Sequence, residues 1–416
     1  MTYQDTNISP NNFEQCKKCT ICTVYCPVTV VNPIYPGPKL AGPDGERYRL
    51  KNAKFFNEAL KYCLNCKRCE VACPSNVKIG DIIQSARLKY SKSPVKLRDI
   101  MLASTDIMGT VATNMAPVVN GSLRMPVVKK LLDATLAIDS HRTFPSYASK
   151  TFVKWYKKEA AATQRHFTKQ VTYFHGCYVN YNYPKLGRDF VKIMNACGIG
   201  VQLLEKERCC GVAKIVNRMT TPARRDADIN MKSIRIAVEK GMQVVGTSST
   251  CILTMRDEYP NLLGVDNEDV AESINLATRY LYELIDSGKI KLAFREDYTR
   301  CIAYHVPCHM EKLGWSIYTA SLLRMMPGIE IVALPSQCCG IAGTYGFKRE
   351  NYSASQEIGR PLFEAIKRSG VDTVVTECET CKWQIEQGSG VKVENPVSII
   401  ADALDVEKTK KLNNIC

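Results

Sequence analysis

Hydrophobic and polar positions change rhythm twice along this 416-residue chain. From about residue 170 onward, short β-rich runs alternate with longer helical stretches. "VTYFHG", "GVQLL" and "QVVGTSS" read as strands, and "TTPARRDADINMKSIRIAVEKG" reads as the helix before the third of them, closed by a glycine. That alternation predicts a parallel α/β sandwich. Between about residues 86 and 168 the pattern is helical in part: "PVVKKLLDATLAIDS" places Val128, Leu131, Leu132 and Leu136 on one face. Ahead of it, "NPIYPGPKLAGPDGERYRL" is punctuated by Pro and Gly and reads as a loop or short hairpin. Its charges Asp44, Glu46 and Arg47 are expected in solvent.

The α/β part is written twice. "VTYFHGCYVNY" is matched by "CIAYHVPCHME", "ERCCGVA" by "SQCCGIA", and "QVVGTSSTC" by "DTVVTECETC". The offsets are 131 residues from Cys177 to Cys308, 129 from Cys210 to Cys339 and 130 from Cys251 to Cys381. Three markers agreeing this closely imply a duplicated domain. The expected organisation is residues 1–85, a basic helical linker at 86–168, a first repeat at 169–295 and a second at 296–416.

Twenty cysteines change the picture. A chain of this length has no need of disulfide staples. "MTYQDTNISPNNFEQ" lacks the basic start and apolar run of a secretory signal, and no run of about 18 apolar residues would span a membrane. Reduced cysteines in sets then read as metal ligands. In both repeats they fall just after strands, at the carboxyl edge where open α/β sheets bind ligands.

The first two sets are "CKKCTICTVYCP" from Cys16 and "CLNCKRCEVACP" from Cys63, each C-x-x-C-x-x-C-x-x-x-C-P. Three thiols on a three-residue period wrap three corners of a cubane, and the fourth completes the other cluster of a pair. That assigns Cys16, Cys19, Cys22 and Cys73 to one [4Fe-4S] cluster, and Cys63, Cys66, Cys69 and Cys26 to a second. A pair of zinc sites would waste the third cysteine of each run. Two adjacent clusters imply one-electron transfer, with no substrate chemistry of their own.

The second repeat offers Cys308, Cys338, Cys339, Cys378 and Cys381. Five thiols exceed the needs of a cubane by one, so either one is spare or the cluster is of another kind. "CETC" alone would suit thiol–disulfide exchange, but the adjacent pair and the lone upstream thiol exceed what that requires. The first repeat offers Cys177, Cys209, Cys210 and Cys251, with Ser248 at the position of Cys378. Zinc, a further cluster, or no metal stay open there. His175, His305 and His309 flank these sets as outer hydrogen-bond partners, His175 also as a ligand for the set that lacks a thiol. Cys197, Cys301 and Cys416 read as buried or incidental.

Two ferredoxin-type motifs followed by two CCG repeats resemble the iron–sulfur subunits of the heterodisulfide reductase-like group. "GPDGERYRLK", "YCLNCKRCEVACPSNVKIGDIIQ", "SQCCGIAGTYGF" and "ECETCKWQIE" are most similar to those serving anaerobic glycerol-3-phosphate dehydrogenases. The resemblance implies an α+β ferredoxin-like domain, a helical linker and two α/β cysteine-rich domains. It implies a non-cubane [4Fe-4S] cluster on Cys308, Cys338, Cys339, Cys378 and Cys381. It also implies flavoprotein (FAD/FMN) partners that oxidise sn-glycerol 3-phosphate, and transfer to membrane menaquinone from the cytoplasmic face of the inner membrane in anaerobic respiration. Subunits of glycolate or lactate oxidases and of heterodisulfide reductases share the motifs.

No G-x-G-x-x-G follows a strand, so a flavin or nicotinamide fold is not expected here. A c-type haem site is excluded too, since Cys308-His309 lacks the preceding cysteine. Net charge is +15, and residues 86–170 hold fifteen Lys and Arg against five Asp and Glu. Such an excess suits an anionic lipid surface; a zinc-bearing nucleic-acid binder is the rival reading. "KTFVKWYKKEAA" sets Phe152, Trp155 and Tyr156 among Lys150, Lys154, Lys157 and Lys158, as a headgroup-layer segment would. "IMGTVATNMAPVVNGSL" is uncharged but expected to break at Gly109 and Pro117. Removal of residues 100–160 is expected to release the chain from vesicles.

Overall fold

A computed structural model describes residues 12–415 except 53, 54, 56 and 57; Cys416 and the first eleven residues lie outside the described residues. The repeats form two four-stranded, all-parallel sheets. In the first, β1 (Lys169–Phe174) pairs with β2 (Ile199–Leu203) and β3 (Val244–Gly246), and β3 with β4 (Ile274–Leu276). In the second, β5 (Arg300–Tyr304) pairs with β6 (Ile329–Ala333) and β7 (Thr373–Val375), and β7 with β8 (Lys392–Glu394). The order β2-β1-β3-β4 recurs as β6-β5-β7-β8. The central strands carry apolar residues on both faces, as a sheet covered by helices on each side requires. The helix Thr220–Glu239 precedes β3 and hands over near Gly241, whose φ of +76° is open to glycine at no cost.

The repeats pack reciprocally. Helix Pro184–Ala196, after β1, lies on Pro396–Ala403, after β8, while Ala277–Asp286, after β4, lies on Ser316–Arg324, after β5. Tyr173, Phe190, Leu281, Leu323 and Ile400 share the core between them. This exchange of first-strand and last-strand helices turns the carboxyl edges of both sheets toward one another.

The amino-terminal domain packs Leu60, Val77, Ile79, Ile82 and Ile83 around its thiols. Here the loop expected from "NPIYPGPKLAGPDGERYRL" is instead helical, over Gly37–Lys39, the wide turns of Leu40–Asp44 and Gly45–Lys51. Pro38 sits in a first turn, where its missing N–H costs nothing, and Pro43 sits in a wide turn that leaves its nitrogen unneeded. An added methyl at Gly42 would lie 2.9 Å from Ile79, so the segment is pressed against the helix Ile79–Tyr90. The charges are paired as well: Asp44 holds Lys39 and Arg47, and buried Glu46 holds Arg49 at 2.7 Å.

The middle segment is a cover of four helices, Leu97–Ala103, Thr105–Asn114, Ala116–Arg124 and Pro126–Leu136. Gly109 does not break the second of them. It lies inside the helix, because a methyl there would meet the Tyr181 ring at 2.4 Å, and the break falls at Met115. Arg98 grips Glu350 with two hydrogen bonds of 2.7 and 2.9 Å. Buried Arg142 donates to Gly346, Gln384 and Ser355, clamping the end of the cover to the second repeat.

Phe152, Trp155 and Tyr156 do not sit at a membrane boundary. Phe152 and Tyr156 are buried in the repeat core, Trp155 packs against it beneath Arg188, and the Tyr156 hydroxyl donates to the Val201 carbonyl at 2.6 Å. Apolar rings interleaved with lysines mark a helix that needs burial, and protein rather than lipid supplies it. The exposed large apolar residues of this region are Leu97, Ile100, Ile107, Val111, Met115, Val118, Met125, Val127 and Leu131, all on the cover. Leu131, expected on one face with Leu132, is among them, while Leu132 lines the cavity beneath the cover. No helix among the described residues is long and apolar enough to cross a membrane.

Candidate iron–sulfur centres

Each opening motif folds the same way. Lys18 and Thr20 in the first, and Asn65 and Lys67 in the second, all have φ between +56° and +64°. Left-handed residues at the second and fourth positions after the leading cysteine curl the loop around its sulfurs. For β-branched Thr20 this conformation is strained, which a built site can impose.

The loops gather the thiols as the spacing divides them. The sulfurs that act electrostatically on Cys22 are those of Cys16, Cys73 and Cys19. Cys26, Cys63, Cys66 and Cys69 line one small cavity closed by Val28, Tyr35 and Gly80. Burial pushes the Cys66 thiol up to about 12 and that of Cys26 to about 11, so a bound cation is needed to draw off their protons. Backbone and side-chain N–H groups already point at sulfur: Val77 N–H lies 3.4 Å from Cys73 Sγ, and Gln84 Nε2 lies 3.5 Å from Cys63 Sγ. The first set reaches the surface at exposed Cys19; in the second, Cys26 and Cys69 are buried and Cys63 and Cys66 half-buried.

Beneath the helical cover lies a cavity of about 320 Å³. Its floor carries ten thiols: the four of the first repeat, the five of the second, and Cys66. Its roof is apolar, with Met101, Leu102, Met108, Leu123 and Leu132 from the cover facing Phe347 and Trp383. Cys66 acts electrostatically on both Cys308 and Cys338, so the second motif abuts the second repeat directly. Within each repeat one sulfur has two thiols within hydrogen-bond reach. Cys209 lies beside Cys177 and Cys210, Cys339 beside Cys338 and Cys381, and these neighbours hold both well below the ordinary thiol value.

This donor set suits iron–sulfur clusters. A tetrahedral zinc about 2.3 Å from each sulfur holds its four sulfurs about 3.8 Å apart. Among the described residues no three cysteine sulfurs lie within 4.8 Å of one another. The softness of these donors matches iron and sulfide.

A 4Fe-4S dicluster domain model matches residues 12–77, and a cysteine-rich domain model matches residues 171–256 and again 302–386. An anaerobic glycerol-3-phosphate dehydrogenase subunit of Escherichia coli K12 is 56% identical over 398 residues, covering 95% of this chain and 100% of that protein. This chain belongs to the family of that dehydrogenase subunit. A fumarate reductase (CoM/CoB) subunit of Methanothermobacter marburgensis is 24% identical, over 96% of this chain and 73% of that one. The glycolate oxidase iron–sulfur subunit of Escherichia coli is 24% identical, over 94% of each.

In this member of the glycerol-3-phosphate dehydrogenase subunit family, several site residues escape the sequence. Lys67, between two cysteines of the second motif, is buried among Asp81, Glu70 and Glu258. Burial opposes its charge, but the three carboxylates outweigh burial and raise its pKa well above normal. Glu70 also binds Lys312 at 2.7 Å, and Asn65 donates to Glu258 at 2.5 Å. The network ties the dicluster domain to both repeats. Asp106, from the cover, accepts the Cys209 N–H at 3.0 Å. Two of the histidines contact non-thiol partners: His309 touches Thr250 Oγ1 and the Asn65 carbonyl, each at 3.2 Å, and His175 contacts the Gly176 carbonyl and Glu207. His305 is buried with its Nε2 unpartnered, in electrostatic reach of Cys339. Of the cysteines outside the motifs, Cys197 is buried and Cys301 is exposed on β5.

Proposed function

We propose that this chain is the iron–sulfur electron-transfer and membrane-attachment subunit of an anaerobic sn-glycerol-3-phosphate dehydrogenase. Flavoprotein partners oxidise sn-glycerol 3-phosphate to dihydroxyacetone phosphate, and this subunit passes the electrons singly to membrane menaquinone in anaerobic respiration. The observation that carries the reading is the set of thiols at exposed Cys19, in the buried and half-buried second set, and in the cavity that Cys66 shares with Cys308 and Cys338. The 24% identity to the glycolate oxidase subunit, against 56% to the glycerol-3-phosphate dehydrogenase subunit, favours glycerol 3-phosphate as the donor.

In this reading Cys16, Cys19, Cys22 and Cys73 hold one [4Fe-4S] cubane, and Cys63, Cys66, Cys69 and Cys26 hold the other. Cys308, Cys338, Cys339, Cys378 and Cys381 hold a non-cubane [4Fe-4S] cluster. When bound, the clusters supply one-electron oxidation and reduction with little change of geometry. The chain's residues do the rest. The left-handed loops fix the sulfurs, the Lys67 network fixes the dicluster domain against the repeats, and the apolar roof excludes water. The domain limits 1–85, 86–168, 169–295 and 296–416 divide these tasks.

Electrons arrive at the first set. Around it Val24, Tyr25, Val30 and Ile34 are exposed, an apolar surface suited to a flavoprotein partner. They leave under the cover, whose outer face pairs exposed Ile107, Val111, Val118 and Val127 with Lys96, Arg124 and Lys130. That combination favours peripheral attachment to anionic lipid at the cytoplasmic face. The test is anaerobic stopped-flow absorbance on the assembled enzyme. Glycerol 3-phosphate should bleach the iron–sulfur bands, and a menaquinone analogue should restore them. Bands that stay oxidised while the flavin is reduced would sink the proposal.

A further inference from the structure

The first repeat lacks one thiol of the full set, and the side chains around the gap show what its site can hold. We infer that the first repeat carries its own [4Fe-4S] cluster, ligated by Cys177, Cys209, Cys210 and Cys251 alone, with Ser248 turned away from it. This rests on the reading that the thiols of this chain hold iron–sulfur clusters.

Ser248 stands where the second repeat has Cys378, yet its hydroxyl is committed elsewhere. It accepts the Cys251 N–H at 3.4 Å, capping the helix Ser249–Leu253, and donates to the Glu379 carboxylate at 2.9 and 3.1 Å. Glu379 comes from the other repeat, from the loop that also receives Ser249 N–H on the Glu377 carbonyl at 3.0 Å. A neutral hydroxyl that donates to a carboxylate is no ligand for a soft metal.

Among the described residues no other side chain around the gap replaces the missing thiol. His175 meets Phe152 edge-on and lies outside the lining of the cavity that the four thiols share. Glu207 is occupied by the backbone N–H groups of His175 and Gly176, and Asp106 by that of Cys209. Four thiols remain, all facing the same cavity as the second repeat's five. Zinc would need all four within about 3.8 Å of one another. Close neighbours run in a line, Cys177 to Cys209 at 3.8 Å, Cys209 to Cys210 and Cys210 to Cys251, but among the described residues no three sulfurs fall within 4.8 Å of one another. Four soft donors spread wider than one ion match a cluster with one thiolate per iron. The two repeats would then face one another with chemically different clusters, four-thiolate and five-thiolate.

The experiment purifies the whole enzyme without air and compares wild type with C210S/C251S, C339S/C381S and Ser248→Ala. Iron, sulfide and zinc are counted per chain, and electron paramagnetic resonance and Mössbauer spectra are recorded. C210S/C251S should lose one cluster's worth of iron and sulfide and keep the second repeat's spectrum. S248A should keep both its iron and its spectrum. Stoichiometric zinc lost with C210S/C251S, unchanged metal in that variant, or iron loss in S248A would each overturn the inference. Should C210S/C251S fail to fold, the wild-type zinc count and S248A still decide. If C339S/C381S also loses no iron, the underlying iron–sulfur reading fails; if only C339S/C381S loses it, this inference alone does.

Discussion

Replacing Ile107, Val118 and Val127 together by asparagine should abolish membrane attachment while leaving the fold intact. These side chains lie on three successive helices of the cover and are 68%, 64% and 73% exposed. Full transfer of a Val or Ile from water contributes about 1.5–3 kcal/mol. With roughly two-thirds of each accessible, lipid contact would contribute about 1–2 kcal/mol apiece. The three together contribute roughly 3–6 kcal/mol, a loss on the order of 10²- to 10⁴-fold in partition coefficient. Because none of the three is buried, stability should move by no more than about 0.5 kcal/mol per site. The assay is anaerobic sedimentation with vesicles rich in anionic lipid, at low and high salt, beside thermal unfolding of the same samples. Arg124→Gln and Lys130→Gln should each weaken attachment by about 1 kcal/mol at low salt and by less at high salt. A triple variant that sediments like wild type would refute the assignment of this face.

Phe152→Ala tests the opposite side of that claim: a ring buried in the repeat core should cost about 3–5 kcal/mol of stability on removal and leave the vesicle affinity of the folded fraction unchanged. Lys67→Ala would strand Asp81 and Glu258 without their cation and leave Glu70 with Lys312 alone, and should lower stability by about 3–5 kcal/mol in anaerobic denaturant unfolding. Glu377, buried beneath β7 and hydrogen-bonded by Tyr304 and Thr319, has its carboxyl pushed by burial from 4.5 up to about 7. Its folded value lies above its unfolded one, so the folded state holds the proton between those limits, and stability should fall as pH rises from about 4.5 to about 7. Glu377→Gln, already neutral, should flatten that slope in melting curves taken across the window. Val24→Asp with Val30→Asp should weaken assembly with the flavoprotein subunits in gel filtration, without loss of iron.

What was legible in the sequence was chemistry set by covalent spacing. Cys16, Cys19 and Cys22 are brought together by a loop short enough for its own backbone to do the work. The duplicated strands were legible because β-branched runs between helical stretches leave little choice of layer, and the α/β fold with its amino-terminal dicluster domain followed. Two misreadings share one cause. "NPIYPGPKLAGPDGERYRL" is rich in residues that break helices in isolation, yet Gly42 lets it close against Ile79, and that contact decides. Phe152, Trp155 and Tyr156 have the periodicity of an interface, but periodicity reports only that a face seeks an apolar phase, not which one. The cover carries the same ambiguity doubled: Met101, Met108 and Leu132 face the cavity while Ile107, Val118 and Val127 face outward.

The partners that hold the site together are remote in sequence and left no local mark. Asp106 meets Cys209 N–H across 103 residues, Ser248 meets Glu379 across 131, and Asn65 meets Glu258 across 193. Lys67 illustrates why such residues are hidden. Between two cysteines a lysine reads as a solvated charge, and only the assembled domains bring Asp81 and Glu258 to it. Burying these ions has a desolvation cost that well-packed apolar residues would avoid. Apolar contacts, however, tolerate sliding, whereas a lysine held by carboxylates of two domains fixes their register. Electron transfer between the second motif and the second repeat depends on the separation of Cys66 from Cys308 and Cys338. A lock one residue away from Cys66, tied to both neighbours, is where a fixed register would have the greatest effect on that separation.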